Sequence, residues 1–455
     1  MKKLIISRMK KPGKMRSEQY ILLAFGALIL LGSILLTLPV ASRSGESSGF
    51  LTALFTATSA TCVTGLALVD TYTQWSLFGQ IVIICLIQVG GLGFMTAVSV
   101  FFFLLNRKIG LKQRLIMAQA FSLNEIDGVV SLVKNVLKGT LLMEGAGAAI
   151  LTVRFMGEYD FWRALRWGIF HSISAFCNAG FDIFGYLEPG SSLILFAKDP
   201  VVNFTIMALI VVGGLGFYVW TDMKRAKKFK ELSVYSKLVL SITVVLIFGG
   251  ALVVALFEWN NPATIGHFTL WEKVMASLFQ SVTCRTAGFA TLNQAMLTEG
   301  SKAFSLLLMI IGGSSGSTAG GIKTVTFGLV ALAILSYARG RSRLTVFHRT
   351  INNRQIQQGL TITMLMMALS FFGAIMLTQF NGFSFMDSLF ETVSALGTVG
   401  LSTGITGHLN MASQIMIIIF MFFGRVGIMT FSFGFLLRNE AEERYHYAEA
   451  KVLIG

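Results

Sequence analysis

The stretch from Leu77 to Leu105 runs 29 residues without a formally charged side chain. An α-helix needs only about 20 apolar residues to cross a bilayer core. Comparable runs lie at Glu18–Pro39, Val129–Phe155, Pro200–Thr221, Ser236–Phe257, Ala303–Ser336, Leu360–Thr378 and Gln414–Leu437. Eight spanning helices are therefore expected, in a chain of 455 residues with only 13% charged, about half the share usual in soluble domains.

The net charge of +15 follows this pattern. Segments 1–19, 107–128, 222–237, 337–357 and 438–455 hold 25 Lys and Arg, whereas the alternate segments 41–76, 156–199, 258–302 and 381–410 hold 7. Basic residues mark cytoplasmic loops, so both termini are predicted to be cytoplasmic in a multi-pass plasma-membrane protein. No basic groove interleaved with aromatics is present, which argues against a nucleic-acid partner. The first apolar run, behind the basic "MKKLIISRMKKPGKMR", is too long for a signal-peptide core and lacks a small-residue cleavage pattern, so it reads as a retained helix. The four cysteines have long, irregular spacings and give no disulfide framework.

A shorter apolar piece, below spanning length, lies inside each pair of runs and reads as a re-entrant segment. These pieces are "FLTALFTATSATCVTGL" (50–66), "FWRALRWGIFHSISAFCNAGF" (161–181), "LWEKVMASLFQSVTCRTAGF" (270–289) and "FMDSLFETVSALGTVGL" (385–401). Each carries Leu-Phe or Ile-Phe, then small residues, then a glycine: Gly65, Gly180, Gly288 and Gly400. A second landmark follows each: "GGLGF" from Gly90 and again from Gly213, "GGSSG" from Gly312 and "GRVGI" from Gly424. The chain thus reads as an all-α polytopic membrane protein of four tandem helix–pore loop–helix repeats, residues 20–106, 129–222, 236–336 and 358–437. Residues 107–128, 223–235 and 337–357 are the linkers, 1–19 and 438–455 the cytoplasmic ends, and no soluble domain is evident.

Four copies of one unit can close into a pseudo-fourfold ring around a central ion pore. Non-helical backbone at membrane depth is tolerated only where protein buries it or it lines water, and four re-entrant loops meeting on an axis meet that condition. Glycine lets successive carbonyls turn inward, and rings of carbonyls can replace a cation's hydration shell. The C-terminal ends of the short helices add partial negative charge. Thr61, Thr64, Thr286 and Thr398 can add hydroxyl oxygens. Gly90, Gly91, Gly93, Gly213, Gly214 and Gly216 read better as packing or bending positions in a helix.

Other motifs carry less. "GGSSG" matches G-x-S-x-G, but it lies between halves of an apolar helix and not after a strand. "GSTAGGIKT" (316–324) departs from the P-loop pattern because Ile322 separates Gly321 from Lys323. Cys62, Cys177 and Cys284 precede their glycines closely enough to suggest a soft-metal site, but the fourth repeat has Gly397 there. Small packing residues are the simpler reading. His171 reads as hydrogen-bonded filling, Lys323 as a snorkelling or partner-contacting cation. Glu144 and Glu391 are acids near membrane depth; for Glu391, a field on the filter and a local pairing behind it stay equally open. The competing class is a secondary transporter that carries a small solute by alternating access, but such folds usually show two inverted repeats.

The loops "TCVTG", "FCNAG", "CRTAG" and "LGTVG" resemble those of the Trk/Ktr/HKT superfamily of potassium transporters, over nearly the whole chain and most like its bacterial KtrB branch. That resemblance implies a potassium filter made of Thr61, Cys62, Val63, Thr64 and Gly65; Cys177, Asn178, Ala179 and Gly180; Arg285, Thr286, Ala287 and Gly288; and Gly397, Thr398, Val399 and Gly400. In the plant branch a Ser in the first loop goes with sodium preference, so Gly65 implies potassium. It also implies a gate formed by Gly312, Gly313, Ser314, Ser315, Gly316, Ser317, Thr318, Ala319, Gly320 and Gly321, with Arg425 as partner. It implies no catalysis and no covalently bound cofactor, only potassium at the filter, with sodium open as coupling ion or passenger. The expected partners are a second copy of the chain and a ring of cytoplasmic regulatory subunits, which alone would carry the nucleotide.

Overall fold

A computed structural model describes residues 17–93, 129–341 and 343–427. The far ends of the second and eighth apolar runs, the linker 107–128 and the tail 438–455 lie outside the described residues, as does the N-terminus before residue 17.

The elements repeat. The first unit holds α1 (Ser17–Thr37), α2 (Phe50–Cys62) and α3 (Leu77–Leu92). The second holds α4 (Val129–Phe155), α5 (Phe161–Phe176), α6 (Pro200–Gly214) and α7 (Phe217–Arg225). The third holds α8 (Val234–Glu258), α9 (Leu270–Thr283), α10 (Glu299–Ile310) and α11 (Thr324–Ala338). The fourth holds α12 (Asn353–Asn381), α13 (Phe385–Gly397) and α14 (Met411–Val426). A small hairpin of β1 (Thr345–Val346) and β2 (Arg349–Thr350) joins the last two units. The short helices α5, α9 and α13 start on capping side chains, Asp160, Thr269 and Ser384, and Thr269 forms a full capping box with Glu272.

In each unit the first long helix packs on the following short one: α1 on α2, α4 on α5, α8 on α9, α12 on α13. The helix after the short one then packs on the next unit's short helix. Thus α3 meets α5, α6 meets α9, α10 meets α13, and α14 returns to α2. The last contact joins the end of the described chain to its beginning, so the order of packing closes on itself.

Among the described residues three helices, α4 from Val133, α8 and α12, are long and apolar enough to cross a membrane, and the bent pair α6–α7 makes a fourth if taken as one span. The first run is α1, and the remaining expected runs are present as shorter apolar helices, Leu77–Leu92, Thr324–Ala338 and Met411–Val426. The later runs are broken in a recurring way. The post-loop helix stops in three units at a glycine of positive φ: Gly93 (φ 83°), Gly216 (φ 89°) and Gly427 (φ 89°). A Cβ disfavours that conformation. The expected straight run Pro200–Thr221 consequently turns by 90° at Gly216. In the third unit the break widens into the loop Ile311–Lys323, which splits the run Ala303–Ser336.

Candidate functional site

The four short helices end in the same way. Val63, Asn178, Thr286 and Thr398 stand just past the helix end with φ of 57°, 60°, 61° and 50°. Such values are uncommon for residues with a Cβ, and for β-branched Val and Thr they are true outliers. Two residues later come Gly65, Gly180, Gly288 and Gly400, also at positive φ. Each loop is bolted to its own helix by a hydroxyl. Ser59 accepts from Gly65 N at 3.1 Å and Ser394 from Gly400 N at 3.0 Å. Ser174 and Thr283 donate instead, to the carbonyls of Phe181 and Phe289. Measured to its glycine, the third loop is one residue shorter than the others. Arg285, and not Cys284, therefore occupies the place of Cys62, Cys177 and Gly397. Among the described residues no group of three or more His, Cys, Asp and Glu could hold a metal ion, which removes the three-cysteine site.

The glycines bring the loops together in order. A Cβ on Gly65 would overlap the carbonyl oxygen of Ala179; on Gly180, that of Ala287; on Gly288, that of Val399; and on Gly400, that of Thr64. The four loops thus touch in the cycle one, two, three, four, one, glycine against the carbonyl before the next glycine. The hydroxyls of Thr61, Thr64, Thr286 and Thr398 are buried and have no hydrogen-bond partner among the described residues. Buried hydroxyls are rarely left so, and here four stand at one constriction. The landmark glycines serve close approach: a Cβ on Gly90, Gly213 or Gly424 would strike the backbone carbonyl of Thr61, Phe176 or Leu396 at the end of the unit's own short helix.

One register of the short helices, directly after Leu-Phe or Ile-Phe, supports the outgoing arms. His171 Nε2 accepts from Ile183 N at 3.3 Å while its ring stacks on Phe184, centroids 3.9 Å apart. Gln280 and Gln294 bond reciprocally. Glu391 accepts from Ser402 at 2.7 Å and from Thr406. Glu391 is thus paired locally behind its loop. Glu144, also buried, accepts two bonds from Gln88 at 3.0 and 3.1 Å. The sequence singles out His171, as hydrogen-bonded filling, and the acids Glu144 and Glu391 one at a time, but Gln280 and the shared register went unread, although polar residues at one register of an apolar repeat were a usable signal.

On one side of the constriction opens a vestibule of about 290 Å³, lined by the four glycines together with Asp70 and Asp182. Asp70 caps a helical turn through Thr73 N and also accepts from Gly190 N. Asp182 accepts from Phe184 N. Burial, then the charge of Asp70, push the Asp182 carboxyl up to about 7.

On the opposite side lies the loop Ile311–Lys323. Its two ends are pinched together, with Gly312 N donating to Ile322 O at 2.8 Å and Thr324 Oγ1 to Gly312 O at 2.9 Å. Ser314 N and Thr318 N donate to the carbonyls of Gly214 and Gly213, and Phe217 N donates to Gly316 O. Thr318 Oγ1 reaches Phe176 O and Asn178 Oδ1 at the second re-entrant loop. Gly320 lies so close to Thr398 that a Cβ would overlap its hydroxyl. From the other flank Arg425 donates to the carbonyls of Thr318, Gly90 and Gly91, so one guanidinium grips the loop and the end of α3. Lys323 donates to Ala319 O within the loop and not outward.

The cation transport protein family TrkH matches residues 7–445. The chain is 40% identical over 427 residues to the Ktr system potassium uptake protein B of Bacillus subtilis (strain 168), which covers 94% of each chain. It is 38% identical over 456 residues to the potassium/sodium uptake protein NtpJ of Enterococcus hirae, 98% of this chain and 99% of that one. The crystal structure of the potassium transporter TrkH from Vibrio parahaemolyticus has the same fold, with a TM-score of 0.71 over 94% of this chain and 86% of that one at 19% identity. The chain therefore belongs to the TrkH family of cation transport proteins, on its KtrB-like side, and is an ion transporter and not an enzyme.

Proposed function

We propose that the protein takes up potassium through one pore per chain, at the constriction where the four loops meet. The observation that carries this reading is the closed cycle in which each filter glycine abuts the carbonyl of the next loop. Main-chain oxygens arranged in this way, with four free threonine hydroxyls beside them, can replace the water shed by a potassium ion. The helix ends behind the loops favour a cation there. Eight spans are part of this reading, each glycine-broken run making one crossing, with both termini cytoplasmic. Potassium is also what the relative from Bacillus subtilis is named for, and the name of NtpJ supports sodium as a second ion.

Regulation belongs to the far side. The loop Gly312–Gly321 and Arg425 act as a gate below the filter. The chain works as a homodimer under a ring of cytoplasmic nucleotide-binding subunits, for which the basic segments 222–237 and 337–357 and the hairpin β1–β2 offer docking surfaces. The purified chain in proteoliposomes is expected to take up rubidium, with potassium competing and small neutral or anionic solutes not competing. Uptake that saturates with such a solute and ignores potassium would contradict conduction and favour alternating access.

The vestibule adds a pH dependence. With its carboxyl near 7, Asp182 is neutral below that pH and negative above it. Rubidium uptake at low concentration is therefore expected to rise between about pH 6 and 8, since negative charge in a cleft concentrates cations. Asp182→Asn should flatten the rise while leaving uptake at saturating rubidium unchanged. Asp70 faces the same space, so the double variant with Asp70→Asn tests how the neighbouring charge acts on Asp182. An identical profile in wild type and Asp182→Asn would remove Asp182 from the account.

A further inference from the structure

Arg285 raises an unanswered question. It is only 8% exposed, and no acidic side chain pairs with it among the described residues. An unpaired buried charge is expensive, and this one stands directly before Thr286-Ala287-Gly288 in a site built for cations. Part of the answer is its position just past the C-terminus of α9, where the helix end carries partial negative charge. Another part is a specific bond: Nη2 donates to Thr324 Oγ1 at 3.1 Å, and that hydroxyl donates in turn to Gly312 O at 2.9 Å. Thr324 and Gly312 are the two ends of the loop beneath the filter. Arg285 is thus the link between the third filter loop and the base of the gate.

Nε of the same guanidinium points to a second component. Nε of Arg285, Nδ2 of Asn178 and Oγ1 of Thr243 are all buried without a hydrogen-bond partner among the described residues. The three residues line one cavity of about 10 Å³, with Gly313 of the gate loop on its wall. Asn178 is 1% and Thr243 5% exposed. That volume is about what a single water centre requires, and a site needs two to four polar partners to hold one. Two donors and a hydroxyl meet that need. A water held there would accept from Arg285 Nε and Asn178 Nδ2 and donate to Thr243 Oγ1. Larger ligands do not fit.

We propose that Arg285 is a positioning residue which, with one buried water, latches the second and third filter loops to the base of the gate loop. The latch rests on the conduction reading above and adds a physical link between ion occupancy and gating. An ion that draws the filter carbonyls inward shifts Asn178 and Arg285 with their loops, and the pinch of Thr324 on Gly312 shifts with them.

The test keeps the filter residues intact. Thr324→Val preserves volume and removes the hydroxyl. It is expected to raise rubidium flux into proteoliposomes about two- to tenfold, what the loss of one hydrogen bond in the closed state gives. The half-saturating rubidium concentration should not move, and Thr324→Ser should restore wild-type flux. Thr243→Val should raise flux in the same direction by less, and neither variant should add to a deletion of Gly312–Gly321. A high-resolution density map should show one water between Arg285 and Asn178. Wild-type flux in a folded Thr324→Val protein, or additivity with the deletion, overturns the latch even if the deletion itself leaks. An empty cavity overturns the role of the water. A wild-type chain that takes up no rubidium overturns conduction, and the latch with it.

Discussion

Deleting Gly312–Gly321 is expected to raise rubidium flux by about tenfold or more, equivalent to at least ~1.4 kcal/mol of lost barrier. The loop lies between the filter and the opposite face of the membrane. It is held there by backbone bonds to Gly213, Gly214 and Phe217, by Thr318 against Phe176 and Asn178, and by the grip of Arg425 on Thr318. A single hydrogen bond contributes about 0.5–1.5 kcal/mol net, so a loop held by this many stays closed until several release together. Removing it removes the barrier and the bonds at once. Arg425→Gln should move flux in the same direction by less, since it removes one flank of the grip and the cation that repels potassium. The deletion should leave the order of preference among potassium, rubidium and sodium unchanged, because the four filter glycines lie outside the excised segment. Wild-type flux from a folded deletion variant would show that the loop does not occlude the path.

Gly65→Ser is expected to cut potassium conduction and to shift the potassium-to-sodium preference toward sodium by about tenfold or more. Gly65 sits at φ 92°, a conformation that L side chains rarely adopt, and a Cβ there would overlap the Ala179 carbonyl. Either Ala179 turns its oxygen away or the first loop shifts. In both cases the ring of oxygens loses its match to potassium, and the added hydroxyl supplies a ligand on a shorter reach, which suits the smaller ion. Gly400→Ser makes the independent check, because its Cβ would overlap the Thr64 carbonyl on the adjacent side of the same ring. Permeability ratios unchanged from wild type in both variants would place selectivity elsewhere.

Much of this site was legible in the chain before any coordinates. The four loops that meet at Gly65, Gly180, Gly288 and Gly400 could be read because a repeat turns one weak signal into four, and the helix break at Gly312–Gly321 because glycine and serine rarely interrupt an apolar run. The breaks at Gly93, Gly216 and Gly427 were harder to read. A single glycine in an apolar helix usually serves packing, and here Gly90, Gly213 and Gly424 do serve it, three residues before the chain turns. The register of Arg285 was hidden by the one-residue difference in the third loop, which aligned Cys284 with the other cysteines. Asp182 stayed out of view because its equivalents two residues past the other glycines, Ala67, Ala290 and Ser402, are not acidic. No repeat reinforced it. The anchoring register of His171, Gln280 and Glu391 shows a further limit: three different side chains perform one task, so identity conceals what position reveals.

The most direct test of the central claim is a structure determined in thallium or rubidium, with the bound ions located by their anomalous scattering. The account predicts ions on the axis shared by Gly65, Gly180, Gly288 and Gly400, ringed by the carbonyls of Thr64, Ala179, Ala287 and Val399. Ions bound only away from that axis, with the four loops left empty at saturating concentration, would contradict it.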